Sequence, residues 1–222
     1  MSEKLQFNTA TIASRVTEQL REDIIRKVIE PGSRITIKEI SERYGTSNMP
    51  VREAFRTLEG EKLLEINAYK GATVLCIDEG FVSDVYGLLR ALECLIYETV
   101  LPELDQTVLR ELHTVNDQIR DLLKNKKDPL LYLDLNTEFH NILTSRCKNT
   151  KALELYYYHH GLIRTMRKSY VPRTERIATV VEEHDALIAA LETNDVMALK
   201  RAVDVHVNHA KENFIEQYTQ HL

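Results

Sequence analysis

Residues 37–58 read IKEISERYGTSNMPVREAFRTL and contain two short helical patterns separated by a single glycine. The first helix is predicted for residues 37–44, and Gly45 supplies the tight turn that follows it. Ser47 is placed to cap the second helix. This second helix has an apolar stripe at three- and four-residue spacing, formed by Val51, Ala54, Phe55 and Leu58. Two helices joined by a short glycine turn predict a helix-turn-helix.

The flanking residues extend this unit on both sides. Apolar residues recur at three- and four-residue spacing over residues 12–28, which predicts an amphipathic helix that Pro31 stops. Residues 63–66 and 72–75 predict two short strands around a polar turn. A helix, a helix-turn-helix and a hairpin together make a winged helix-turn-helix, which we assign to residues 1–76.

The rest of the chain, residues 77–222, has long helical periods with few glycines or prolines. Six helices are predicted, at roughly 78–101, 104–125, 128–146, 149–170, 174–193 and 195–220. Short connections favour antiparallel neighbours, so this part is predicted to be a six-helix antiparallel α-bundle. The expected fold class is therefore all-α with a small β-wing.

The composition excludes several classes of protein. The chain has 222 residues, of which 43% are hydrophobic and 28% charged, and this is ordinary for a globular protein. A net charge of −5 excludes a chain that is basic overall, but it allows a local basic face. No apolar run is long enough to span a bilayer, and the start has no signal-peptide pattern, so we expect a cytoplasmic protein without a membrane partner. Three widely spaced cysteines predict no disulfide framework.

The second helix of the helix-turn-helix carries a polar line opposite its apolar stripe. Asn48, Arg52 and Arg56 follow one another at four-residue spacing. Arginine suits guanine edges and phosphate, and asparagine suits adenine, so these residues fit major-groove recognition. The spacing alone is equally typical of a solvated helix face. The context favours DNA, because further phosphate-contacting candidates surround this line: Arg34, Lys38, Ser47, Lys70 and Gly71.

Three histidines of the bundle have correlated positions. Asn136 and His140 share a helix face at four-residue spacing. His184 and His206 lie on either side of Asn194, and in a hairpin turning there both stand roughly 15 to 18 Å from the turn. Three imidazoles with one oxygen donor suit a borderline metal such as zinc. The alternative is a set of polar core histidines bonded to one another, and the geometry leaves both open.

The winged-helix part resembles a known family through four runs, PGSR at 31–34, EISERYGTS at 39–47, PVREAFRTLE at 50–59 and KGATV at 70–74. These runs are similar to the winged-helix domain of GntR-family bacterial transcriptional regulators. The resemblance implies that DNA contacts are made by Lys38, Ser47, Asn48, Arg52, Arg56 and Gly71. Asn48 and Met49 stand where the family usually has Arg and Thr, so we expect an altered base preference.

Residues 77–222 resemble the FCD ligand-binding domain. The resemblance lies in RALE at 90–93, in the run 136–143, and in Glu183-His184 followed later in the sequence by His206. The resemblance implies a divalent metal, zinc or nickel, facing a cavity for a small organic acid. The implied ligands are Asn136, His140, His184 and His206, with Asn136 in a position more often held by Asp. Arg90 is the candidate clamp for the effector carboxylate, with an ion pair on its own helix as the alternative, and Arg164 is a weaker candidate.

These features predict a ligand-responsive transcriptional regulator, a repressor that binds a palindromic operator as a homodimer. A metal-dependent hydrolase would use a similar set of histidines, but the chain has no HExxH, no ExxH and no G-x-S-x-G motif, so we expect no enzyme. A DNA-binding dimeriser with an empty, degenerate pocket is the other alternative. This alternative stays open because Asn136 stands where the family more often has Asp.

Overall fold

The computed structural model describes residues 11–68, 70–125, 130–167, 170 and 172–220, and they form two compact units that divide after Ile77. The first unit consists of α1 (Ile12–Ile25), β1 (Arg34–Ile35), α2 (Ile37–Arg43), α3 (Asn48–Gly60), β2 (Leu64–Asn67) and β3 (Gly71–Val74). The second consists of α4 (Glu79–Val100), a 3-10 turn (Leu101–Glu103), α5 (Gln106–Lys124), α6 (Leu131–Thr144), α7 (Thr150–Arg167), α8 (Thr174–Glu192) and α9 (Val196–Gln220).

The helix-turn-helix forms as predicted. A reciprocal capping box starts α2, in which the Thr36 hydroxyl accepts from the Glu39 amide and the Glu39 carboxylate accepts from the Thr36 amide. Gly45 makes the turn with φ of +61°, a backbone conformation that favours glycine. The predicted apolar stripe of α3 is buried and packs against α1. This packing fixes which side of α3 faces solvent.

The wing is a three-stranded antiparallel sheet in the order β1-β3-β2. The predicted hairpin is present, with Leu64 opposite Val74 and Asn67 opposite Gly71. Strand β1 was not predicted, because two residues are too few to show an alternating pattern. It pairs with β3 through Arg34, opposite Thr73, and so joins the start of the helix-turn-helix to the wing.

The six predicted helices of the second unit are all present, with ends that differ from the prediction by at most three residues. Helix α4 packs against α6, α7 and α9, α5 packs against α6 and α8, and α8 packs against α9. Asn194 turns the chain between α8 and α9 with φ of +53°. The predicted start of the third bundle helix, at 128–129, lies outside the described residues, and so do residues 168–169 near the predicted end of the fourth.

None of the described helices combines the length and apolar character needed to cross a lipid bilayer. The three cysteines Cys76, Cys94 and Cys147 are unpaired, as the spacing predicted. Core packing therefore holds each unit together without a disulfide.

We expect Gly71→Ala to destabilise the winged unit. Gly71 has φ of +89°, and a Cβ atom there would lie 2.2 Å from the carbonyl oxygen of Ile35. Strain and backbone displacement together should lower the free energy of unfolding by about 2 kcal/mol or more, measured by urea denaturation.

Gly60→Ala is the matched control, because Gly60 ends α3 with no atom within 4 Å of the added methyl group. Alanine should raise helix stability there by about 0.5 kcal/mol or more. Equal stabilities for the two variants would show that the wing does not depend on this glycine.

Candidate functional site

Helix α3 presents the predicted DNA-reading side chains to solvent. Asn48, Met49, Arg52 and Arg56 are all exposed, while the apolar stripe on the opposite side is buried. Within the described part of the chain, neither Arg52 nor Arg56 forms an ion pair or hydrogen bond. Both guanidinium groups are therefore available to an external anion or base edge.

Two predicted phosphate-contacting residues, Lys38 and Ser47, lie before the start of α3. Ser47 occupies the N-cap position with an extended backbone, but its hydroxyl makes no capping hydrogen bond. Lys38, on α2, is exposed and lies 3.9 Å from the carboxylate of Glu42. A free hydroxyl at a helix N-terminus is placed to contact a phosphate.

The wing tip combines exposure with a structural constraint. Lys70 is exposed, whereas the Arg34 guanidinium donates to the backbone carbonyl of Lys70. Position 71 requires glycine, because its φ is positive and the backbone of Ile35 leaves no room for a Cβ atom. Arg34 and Gly71 therefore shape the wing, whether or not they also contact DNA.

Three histidines from α6, α8 and α9 meet inside the second unit. One ligand atom from each of His140, His184 and His206 lies within 4.8 Å of the others, and all three residues are buried. The Nε2 atoms of His140 and His206 are 3.3 Å apart. The prediction that the antiparallel α8–α9 hairpin brings His184 and His206 to one level is confirmed.

The Nδ1 atom of each histidine is held from outside the cluster. The three contacts are the Tyr97 hydroxyl with His140 at 2.6 Å, Asn116 Oδ1 with His184 at 3.2 Å and Glu183 Oε2 with His206 at 2.8 Å. Because each Nδ1 atom is engaged, Nε2 is the nitrogen of each ring that can contact the other histidines or a metal ion. Metal-binding histidines are typically oriented in this way.

Two of the protonation states follow from these partners. The amide nitrogen of Asn116 donates to the Val181 carbonyl and to Asp185, so its oxygen accepts from His184 Nδ1. An ionised Glu183 only accepts, so His206 Nδ1 carries its proton. Both rings therefore present a lone pair at Nε2. In the described residues, His184 Nε2 is buried without a partner.

Glu183 stays ionised despite its burial. Arg176 donates to both of its oxygens at 2.6 and 2.9 Å, and His209 donates to Oε1 at 2.7 Å. Burial alone would raise the pKa of Glu183, but hydrogen bonds from His206 and Arg176 lower it to about 2. The carboxylate thus anchors the His206 ring at neutral pH.

The histidine rings of the cluster are neutral. Burial is the main cause that lowers the pKa of His140, His184 and His206, and mutual repulsion of the rings lowers the first two further. Neutral imidazole is the form that binds metal ions. His184 and His206 can therefore bind a cation through Nε2 without first losing a proton.

A cavity of about 60 Å³ lies beside the cluster. Its polar lining includes Glu93, Asn136, His140, Arg164, Arg167 and His206. The Oδ1 atom of Asn136 is buried and has no partner among the residues that the structure describes. This oxygen lines the same cavity as two of the histidines. Burial raises the pKa of Glu93 to about 8, so its carboxyl group is protonated at neutral pH.

Arg90, the predicted carboxylate clamp, is not among the residues that line this cavity. Its side chain is half exposed and pairs with Asp204 at 3.0 Å. On α4 the residues that line the cavity are Tyr86, Leu89 and Glu93, and a one-residue step along a helix turns Arg90 away from Leu89. Arg90 does form an ion pair, but its partner is Asp204 on α9 and not a residue of its own helix, which was the alternative.

Three arginines line the cavity: Arg176 on α8, which is bound to Glu183, and Arg164 and Arg167 on α7. Arg164 pairs with Asp134, while its Nε atom is buried and unpartnered within the described ranges. Arg167 donates to the Tyr86 hydroxyl and to the carbonyl of Ala210, each at 2.9 Å. The carboxylate-binding candidates that the structure supports are therefore on α7.

Sequence reasoning missed the residues that hold the histidines, above all Tyr97 and Asn116. A weak signal existed for Asn116, which interrupts the apolar face of α5 between Leu112 and Ile119. A polar residue on an apolar face is expected to have a buried partner.

Family comparisons match both units. The family of bacterial regulatory proteins called gntR matches residues 12–74, and the FCD domain matches residues 84–209. The chain is a GntR-family transcriptional regulator with an FCD domain. It is a regulator and not an enzyme, as expected.

Two bacterial relatives cover most of this regulator. It is 27% identical over 191 residues to the uncharacterized HTH-type transcriptional regulator YdhC of Bacillus subtilis, covering 86% of this chain and 85% of YdhC. It is 26% identical over 215 residues to the HTH-type transcriptional repressor RspR of Escherichia coli, and the match covers 96% of this chain and 93% of RspR. A crystal structure of a GntR-family regulator from Pseudomonas syringae is 26% identical, with a TM-score of 0.51, over 94% of this chain and 86% of that one.

We expect His160→Phe to weaken the acid sensitivity of the metal-free regulator. Burial and nearby Arg167 lower the pKa of His160 to about 4, so between pH 6.5 and 4 the unfolded chain binds a proton that the folded one does not. Stability is therefore lost as pH falls. Without this group, the slope of unfolding free energy against pH should decrease by about 1.4 kcal/mol per pH unit.

Urea denaturation between pH 7 and 5 in the presence of a chelator measures the slope. The control is Tyr156→Phe, which keeps the ring stacked on His160 at 5.2 Å but has no group that titrates in this range. Parallel stability curves for wild type and His160→Phe would contradict the prediction.

Proposed function

We propose that this regulator is a repressor that binds a palindromic operator as a homodimer and senses a small carboxylate in its FCD unit. The effector would lie beside a divalent metal held by Asn136, His140, His184 and His206. The observation that carries the proposal is the convergence of one ring nitrogen from each of three buried histidines beside the polar cavity, where His184 Nε2 has no partner among the described residues.

The donor set supports a metal ion. Three neutral imidazoles and one amide oxygen match the ligands of zinc or nickel. The Nε2 atoms of His140 and His206 are 3.3 Å apart, which is close enough for both to bind one ion. A bound metal would add positive charge to the cavity wall and so favour a carboxylate.

The α7 arginines support an anionic effector. Arg164 and Arg167 line the cavity, and the buried Nε of Arg164 lacks an acceptor in the described structure. A carboxylate that accepts from such a group relieves an unmet hydrogen bond. The small volume of the cavity favours a short acid.

The exposed side of α3 supports operator binding. Helix-turn-helix regulators that read palindromes place one recognition helix of each protomer in a major groove. The unpaired Arg52 and Arg56 suit that role. Effector and operator would favour different arrangements of the dimer, so by linkage each weakens binding of the other. The repressor assignment follows the name of RspR.

We expect Arg52→Ala to weaken operator binding by about tenfold or more, because an arginine contact to a base is worth roughly 1–3 kcal/mol. Sites are first selected from a random duplex library at near-physiological salt. Binding of the consensus is then measured by fluorescence anisotropy at the same salt concentration.

Arg201→Ala is the control for loss of charge. Arg201 is exposed on α9 and has no ion pair or hydrogen bond in the described part of the chain. Equal operator affinities for the two variants would contradict the assignment of α3. A selection that yields only sequence-independent, salt-sensitive binding would overturn the palindromic operator.

We expect Asn136→Asp to tighten metal binding and His184→Ala to weaken it by about 100-fold or more. The aspartate restores a negative charge to the donor set, whereas the alanine removes a ligand. Competition of zinc or nickel between the protein and a chromophoric chelator measures both affinities.

Asn141→Asp is the matched control, because Asn141 is exposed on the same helix and the charge change is identical. It should leave metal affinity unchanged. If wild type binds neither metal and gains no thermal stability from metal with acid, the result contradicts the proposed sensing and favours the alternative of a DNA-binding dimeriser with an empty cavity.

A further inference from the structure

We propose that Tyr97 is a positioning residue whose hydroxyl lets His140 exchange one ring tautomer for the other when the cluster binds a metal ion. In the metal-free protein the proton of the His140 ring lies on Nε2, and in the metal-bound protein it lies on Nδ1. The inference rests on the proposed function, because it concerns the same divalent metal. It assigns a role to a residue outside the proposed ligand set.

The His206 ring fixes where the proton of His140 lies in the metal-free protein. His206 Nδ1 donates to the ionised Glu183 at 2.8 Å, so the Nε2 atom of the neutral His206 ring has a lone pair. This atom lies 3.3 Å from His140 Nε2. Two lone pairs facing each other at that distance would repel. His140 Nε2 therefore carries the ring proton and donates it to His206.

The Tyr97 hydroxyl completes this arrangement on the other side of the His140 ring. A neutral ring that is protonated at Nε2 has a lone pair at Nδ1. The hydroxyl lies 2.6 Å from His140 Nδ1 and donates to it. Burial raises the pKa of Tyr97 well above its usual range, so the hydroxyl keeps its proton. A continuous chain of hydrogen bonds therefore runs in one direction from Tyr97 through both rings to Glu183.

The direction of this chain keeps His140 from binding a metal ion through Nε2. A metal ion needs the lone pair of the ring nitrogen that it contacts, and the lone pair of His140 is on Nδ1. His184 and His206 need no change, because their Nδ1 atoms already donate to fixed acceptors. His140 joins them as a ligand when it loses the proton of Nε2 and gains one at Nδ1. The ring stays neutral in this exchange.

Tyr97 can serve both tautomers because a hydroxyl group both donates and accepts. After the exchange His140 Nδ1 is the donor, and the oxygen of Tyr97 accepts from it. The hydroxyl proton then turns to another acceptor. Glu93 precedes Tyr97 by one turn on the same face of α4, and its Oε2 atom is buried without a partner among the described residues. A carboxyl group has a carbonyl oxygen that accepts whether or not the group is ionised.

The test identifies the protonated nitrogen of each ring by NMR. Full-length regulator with ¹⁵N-labelled histidine is measured at neutral pH with a chelator, and again after zinc is added. Variants that each lack one histidine assign the signals. The proton of His140 should lie on Nε2 without metal and on Nδ1 with zinc. His184 and His206 should carry theirs on Nδ1 in both states.

Tyr97→Phe removes the hydroxyl and keeps the ring. The metal-bound tautomer of His140 would then have a buried Nδ1–H without an acceptor. The lost hydrogen bond is the stronger one in the metal-bound form, where the ring shares the charge of the ion, so zinc affinity should fall about tenfold or more. Competition with a chromophoric chelator measures the affinity. The metal-free variant should keep the His140 proton on Nε2, because His206 still accepts it.

Tyr156→Phe is the matched control for loss of a buried hydroxyl. Tyr156 is fully buried, and its hydroxyl has no partner among the described residues. This variant should change zinc affinity by less than about twofold, since it leaves the chain of hydrogen bonds intact. Thermal unfolding checks that both variants fold. The NMR measurement on wild type decides the tautomers even if Tyr97→Phe does not fold.

The failures of the two proposals are distinguishable. If the metal-free wild type already carries the His140 proton on Nδ1, the inference is wrong while metal binding stands. Zinc affinity that is equal in Tyr97→Phe and wild type would likewise overturn the role of Tyr97. A proton that stays on His140 Nε2 in the zinc-loaded protein would exclude the exchange. If wild type binds no zinc, the metal of the proposed function is overturned, and the exchange with it.

Discussion

The interior of the helical unit depends on one buried carboxylate, that of Glu183. An ionised carboxylate away from water is strongly unfavourable unless cations and hydrogen-bond donors surround it. Arg176 provides a bidentate ion pair, and His206 and His209 each donate a ring N–H. These contacts keep α8 and α9 in a fixed register. They also fix the ring of His206, and with it the direction of the nitrogen that faces His140.

Side chains from other helices orient the remaining two histidine rings in the same way. Tyr97 on α4 and Asn116 on α5 each occupy the outward nitrogen of a histidine, so five helices contribute to the orientation of three rings. Three of the buried polar atoms that have no partner among the described residues, His184 Nε2, Asn136 Oδ1 and Glu93 Oε2, lie at the cluster and its cavity. The cation and the acid of the proposed function would supply partners for atoms of this kind.

Much of the fold follows from local patterns. Helices α2 and α3 were predictable because Gly45 and the stripe from Val51 to Leu58 are short-range signals. His184 and His206 were predictable as neighbours because the helical rise fixes how far each residue stands from a shared turn. Strand β1 was not predictable, because its two residues acquire an extended pairing only when β3 lies beside them.

The sequence by itself determined the two-part organisation, the recognition helix with its exposed arginines, and the histidines that meet, since each depends on periodicity within one or two adjacent helices. Tertiary structure alone decided which arginine reaches the cavity. Arg90, Arg164 and Arg167 are chemically equivalent in the sequence, but the rotation of α4 about its axis turns Arg90 to solvent and to Asp204. That rotation is set by the packing of α4 against α6, α7 and α9, and such long-range packing cannot be deduced from the period of one helix.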